Sequence, residues 1–168
     1  MLSELAPPLR GKLALVKPNL VVAAAADSGV VTHPQLIRAV VRALRSRGAR
    51  VAVGDNPGGL EGNSLQVAEA SGALDASEGA FVSLASRVVE VEARSAYTDT
   101  LMLPKLLFET DYVVNLPILK THLLTTITAA IKNCFGYVAG AGKSQLHLKA
   151  PSRRRFSELL ADVYAQRP

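Results

Sequence analysis

"DYVVNLPILKTHLLTTITAAIKNCFG", residues 111–136, changes character partway along, and the change sets the fold class. Its first seven residues are a short aliphatic run closed by Asn115 and Pro117, the pattern of a buried strand. From Lys120 onward, polar residues recur at helical spacing: Thr121, Thr125, Thr128 and Lys132 follow i, i+4, i+7, i+11. Leu124, Ile127, Ile131 and Cys134 read as a second, apolar stripe suited to core packing. The segment is therefore expected to pass from strand to helix.

The same alternation recurs upstream. "KLALVKPN" (12–19) reads as a buried strand. "THPQLIRAVVRALRSRG" (32–48) reads as a helix with Thr32 as N-cap, Pro34 in its first turn and Gly48 at its end. "ARVAVGDNPGG" (49–59) is a second strand running into a turn of Asp, Asn, Pro and Gly. A short helix is expected around 65–71, strands around 81–84 and 88–91, and a helix over 103–110. "GYVAGAGKSQLHLKAP" (136–151) reads as a loop, followed by a last helix from about Ser152.

Aliphatic strands alternating with helices predict an α/β fold: a mainly parallel sheet with helices on both faces, three-layered and Rossmann-like. No repeat or linker divides the chain, so residues 1–168 read as one domain. The last helix is followed by no further strand, which reads as an incomplete sheet and a piece of a longer protein.

Composition narrows the function. The 168 residues are 49% hydrophobic and 20% charged, enough for a core and too apolar for disorder. No apolar run approaches the roughly 20 residues of a membrane-spanning helix. The first residues lack the basic and apolar regions of a secretory signal. One cysteine, Cys134, forms no internal disulfide. These features make the cytoplasm the expected location.

The charge is unevenly spread. Between Tyr112 and Ser157 there is no Asp or Glu, yet the segment carries Lys120, Lys132, Lys143, Lys149, Arg153, Arg154 and Arg155. The other twelve cations face 14 acids, so the net +5 charge arises in this one segment. Such a field attracts an anionic partner. Aromatic residues make up 5% of the chain and Trp is absent, which leaves few platforms for stacking bases and argues against nucleic acid.

Ligands of open α/β sheets sit outside the carboxyl ends of the strands. Three strands end in polar runs: Lys17-Pro18-Asn19, Asp55-Asn56-Pro57-Gly58 and Asn115-Leu116-Pro117. The candidate ligand-binding residues are Lys17, Asn19, Asn115, Lys120, Thr121, Thr125, Thr128, Lys132, Asn133, Lys143 and His147. His122 and Asp55 are the acid–base candidates. Threonine is a mediocre helix former, so a stripe of it suits an anion better than a solvated face. "YVAGAGKS" (137–144) nearly spells a phosphate loop, but Tyr137 stands where the first glycine belongs and no strand precedes it. It reads instead as a lid carrying Lys143 and His147. His33, His122 and His147 lack a paired spacing, so no metal is expected. Arg153–Arg155 reads as the solvated first turn of the last helix.

The pieces "KPN" (17–19), "THP" (32–34), "VGDNPG" (53–58), "NLPILKTHLLTTITAAIKNCFG" (115–136) and "GKSQLH" (142–147) occur in an order that resembles the family called domain of unknown function 362. The resemblance covers nearly the whole chain and the N-terminal part of longer members. Members are often described as iron–sulfur cluster-binding proteins, and some carry a ferredoxin-like C-x-x-C-x-x-C-x-x-x-C module. This chain has no such module, and Cys134 alone cannot hold a cluster, so no cofactor is identified. Two functions follow as expectations. One is an α/β domain, enzymatic or not, binding a phosphate- or carboxylate-bearing small molecule. The alternative is a redox-associated module whose basic C-terminal third docks an iron–sulfur protein.

Overall fold

The structure is a computed structural model and describes residues 8–58 and 63–167. Residues 1–7 of the N-terminal run read for a signal, residue 59 of the expected turn and the terminal Pro168 lie outside the described residues.

Three parallel strands form the central sheet in the order β2-β1-β5: β1 (Leu13–Pro18), β2 (Arg50–Val53) and β5 (Tyr112–Leu116). Val16 stands beside Val53 and Val114, and Lys17 stands beside Asn115. Because successive side chains point to opposite faces, the aliphatic strands supply two cores. Val16, Val53 and Val114 pack against α1 (Pro34–Ser46), α2 (Ser64–Ala70) and α3 (Ala73–Ala76) through Ile37, Val41, Val67 and Ala68. Leu15, Ala52 and Val113 pack on the other face against Phe135 and Tyr137, and against Phe156, Leu159 and Val163 of the last helix (Arg153–Ala165). The expected three-layer α/β architecture is therefore present.

The sheet is extended only slightly beyond β2. The strand expected at 81–84 is a single parallel bridge, Val53 to Phe81. Gly54 permits this approach, since a Cβ there would lie 2.7 Å from the Val82 carbonyl oxygen. β3 (Val88–Glu92) pairs antiparallel with β4 (Thr100–Pro104), whose last two residues fall within the helix expected over 103–110; that helix starts instead at Lys105, as α4 (Lys105–Glu109).

Residues 120–136 depart most from expectation. Instead of a helix, β6 (Lys120–His122) and β7 (Thr126–Thr128) form an antiparallel hairpin, and only a four-residue helix follows, α5 (Ala130–Asn133). Helical spacing was present, but Thr125, Thr126, Ile127 and Thr128 are consecutive β-branched residues that fit extended backbone better. The turn is held by His122, whose Nδ1 accepts the backbone N–H groups of Leu124 and Thr125, both at 3.2 Å. The supposed apolar stripe dissolves: Cys134 is buried and Leu124 half-buried, whereas Ile127 and Ile131 are exposed.

Two further expectations change. The loop read at 136–151 contains α6 (Gly142–Lys149). The N-cap of α1 is His33, accepting from Gln35 N, and not Thr32. Thr32 is instead a buried bridge: its Oγ1 accepts from Asn19 N at 2.8 Å and donates to Leu116 O at 2.7 Å. The last helix, α7 (Arg153–Ala165), begins at Ser152, which caps it through Arg155 N, and Arg153–Arg155 are exposed.

Candidate functional site

Beyond the carboxyl ends of β1, β2 and β5 lies a cavity of about 260 Å³. Its walls come from the segments that leave those strands: Asn19 to Val21, Asp55 to Gly58, and the hairpin through α6. This is where the topology of a parallel sheet opens a crevice.

The floor is an ion pair. Lys17 is fully enclosed at the end of β1, and its Nζ lies 2.5 Å from Asp55 Oδ1 while donating to Pro18 O at 2.9 Å. Asp55 Oδ2 accepts the backbone N–H of Leu20 at 2.7 Å. Both carboxylate oxygens are thus engaged. Gly136 closes over the pair, and a Cβ at that position would come within 2.7 Å of Lys17 Nζ.

An amide chain supports the wall next to it. Asn133 Nδ2 donates to Asn115 Oδ1 at 2.7 Å, and Asn19 Nδ2 donates to Asn133 Oδ1 at 3.0 Å. Lys120 Nζ then donates to Asn19 Oδ1 at 3.1 Å and to Val30 O at 2.7 Å. The chain fixes Lys120 at the rim, far along the sequence from its partners.

Three lysines reach the cavity, and each is held below its ordinary pKa. Burial is the first cause in every case. Lys143 falls to about 8 and donates to the carbonyls of Asn56 and of Pro57, the latter at 2.9 Å. Lys132 is lowered further by its neighbours Lys120 and Lys17, and its ammonium lies 5.6 Å from the centre of the Phe135 ring. Lys120 is lowered by burial, against the pull of Asp55. The histidines follow suit. Burial and then Lys132 push down His122, and the same two causes act on His147, which stacks on Phe156 at 4.2 Å. With two N–H groups pointing at its Nδ1, neutral His122 carries its proton on Nε2.

Of the residues expected from the sequence, Asn19, Asp55, Lys120, His122, Thr128, Lys132, Asn133, Lys143 and His147 line the cavity. Lys17 lies directly beneath, and Asn115 stands behind Asn133 with a second bond to Ala130 O. Thr121 and Thr125 do not join them. Thr121 faces a shallow depression shared with Leu123 and Arg153, and the Thr125 hydroxyl donates to Ile127 O. The four-residue stripe fails because a hairpin reverses side-chain direction where a helix would repeat it. Asn56, Phe135, Gly136 and Ser144 also line the cavity and were not singled out. Asn56 could have been found: it directly follows Asp55 at a strand's carboxyl end.

Among the described residues, no group of three or more His, Cys, Asp or Glu side chains is arranged to hold a metal ion. Among them, too, no helix is long and apolar enough to cross a membrane.

No solved structure matches the chain at a significant level. The thylakoid-associated protein sll1697 of Synechocystis sp. is 32% identical over 159 residues, covering 91% of this chain and 48% of its own length. The chain thus spans about half of the curated relative it matches. Residues 14–168 match the family described as Domain of unknown function (DUF362), and with that relative alongside, the chain belongs to this family.

Proposed function

We propose that the cavity binds an anionic small molecule carrying a phosphate or carboxylate group. One observation carries the reading: Lys120, Lys132 and Lys143 converge on a cavity where, among the described residues, the one lining carboxylate is Asp55, already paired with Lys17. Cations crowded together and withdrawn from water are destabilised, and an anion relieves both effects at once. His122, with Nε2 free of the turn it holds, is the group positioned to give or take a proton. Asp55 serves in this reading to hold Lys17 in its ion pair beneath the site.

The docking alternative has less behind it. It rests on the exposed run Arg153–Arg155, of which Arg154 already meets Glu158 at 2.9 Å. The cytoplasmic location inferred from the sequence is kept as part of the proposal, while the thylakoid association belongs to the relative.

Thermal-shift titration with phosphorylated and carboxylated metabolites tests the anion reading. A ligand at one hundred times its Kd stabilises the folded chain by about 2.7 kcal/mol. The expected result is a rise in midpoint that disappears in Lys120→Ala and Lys132→Ala. A flat response across the panel overturns the reading.

A further inference from the structure

Besides Asp55 Oδ1, which meets Lys17 through its ion pair alone, two polar atoms of the cavity wall have no hydrogen-bond partner among the described residues. Asn56 Nδ2 and Thr128 Oγ1 are buried without a hydrogen bond, and their residues are only 6% and 3% exposed. They come from different parts of the chain, Asn56 from the turn after β2 and Thr128 from the end of β7, and both line the cavity. A buried donor left unmade is unfavourable, so two on one wall indicate that something else completes them.

Charge and donor count together select among anions. A carboxylate offers one negative charge and two oxygens. A phosphoryl dianion offers two charges and three terminal oxygens, matching three ammonium groups, one amide N–H and one hydroxyl more closely. Lys143 belongs to the same arrangement as Asn56, since its ammonium is anchored on the Asn56 and Pro57 carbonyls. We propose that the ligand is a phosphoryl dianion, inorganic phosphate or a small phosphate monoester, received by Lys120, Lys132 and Lys143 with Asn56 Nδ2 and Thr128 Oγ1 donating to its terminal oxygens. The inference rests on the anion reading of the same cavity and narrows it.

The dianion implies a pH dependence. Phosphate esters lose their second proton at a pKa of about 6. Lys143 is half deprotonated at about 8, so phosphate binding weakens above that pH. Below a pH of about 6 the loss of the dianion is offset as His122 and His147, which line the same cavity, gain protons.

Isothermal titration of the full chain with inorganic phosphate and with acetate, at low salt and at pH 7 and 9, provides the test. Phosphate is expected to bind at least about tenfold tighter than acetate at pH 7, with weaker binding at pH 9. Thr128→Val and Asn56→Leu should each weaken phosphate binding by about tenfold, the loss of one hydrogen bond to a charged group. Their thermal midpoints should hold or rise, because each removes an unsatisfied buried group. Thr128→Ser, which keeps the hydroxyl, should bind as the parent does. Acetate matching phosphate, or both Thr128→Val and Asn56→Leu binding phosphate normally, overturns the inference and leaves the anion reading standing. Binding of neither anion overturns both.

Discussion

Lys17 and Asp55 show how much one buried pair constrains its surroundings. With both side chains out of water and 2.5 Å apart, each is tolerable only beside the other. Lys17→Met should cost roughly 3–5 kcal/mol in urea unfolding, and Lys17→Met with Asp55→Leu should recover most of that loss. Gly136→Ala should cost about 1–3 kcal/mol, because the added methyl displaces the pair it covers. Lys132 behaves oppositely. Held among Lys120 and Lys17 at reduced pKa, it opposes folding, so Lys132→Ala should leave the ligand-free midpoint unchanged or raise it. Lys143 adds a pH signature. Its pKa is about 8 folded and ordinarily 10.5, so between those values the unfolded chain holds more protons. Stability should therefore climb with pH across that interval, the penalty being full below 8 and gone above about 10.5. Comparing the parent with Lys143→Met by denaturant unfolding at pH 7.5 and 10 checks the sign. The parent should gain more on going to pH 10.

The elements that could be read correctly from sequence are those where periodicity and chemistry agree. In α1, Ile37 and Val41 fall on one face, Pro34 opens the helix, and Arg38, Arg42 and Arg45 pair with Asp75 and Glu78. β1, β2 and β5 are aliphatic runs that end in the polar residues of the site. The hairpin was hidden because its strands are three residues each, too short for period two to outweigh an accidental helical spacing. Its turn is secured by a histidine ring, a role that no turn pattern encodes. α6 was hidden behind Gly136, Gly140 and Gly142, which read as a loop. Most of the candidate residues line the cavity despite the hairpin, Thr121 and Thr125 excepted, because strand order alone brings this stretch to the carboxyl edge. Thr126 now marks the turn, a β-branched residue at φ +65°. Thr126→Asn should raise the midpoint, by roughly 1 kcal/mol in stability, since Asn tolerates left-handed backbone at less cost. A lowered midpoint in calorimetry would contradict the hairpin turn.

At the scale of the molecule, three lysines of the cationic segment meet the sheet edge at one place. Anion affinity should accordingly fall with ionic strength, and titration at 20 and 200 mM salt should show the loss, steeper for the parent than for Lys120→Ala. A different consequence follows from β1 itself. This strand gives Leu15 to the core on one face, Val16 to the core on the other, and Lys17 to the floor of the cavity. A molecule seated at the strand ends therefore braces a shared keel, and opening either flank would release it. Amide hydrogen exchange should slow on binding even in α1 and α7, neither of which lines the cavity.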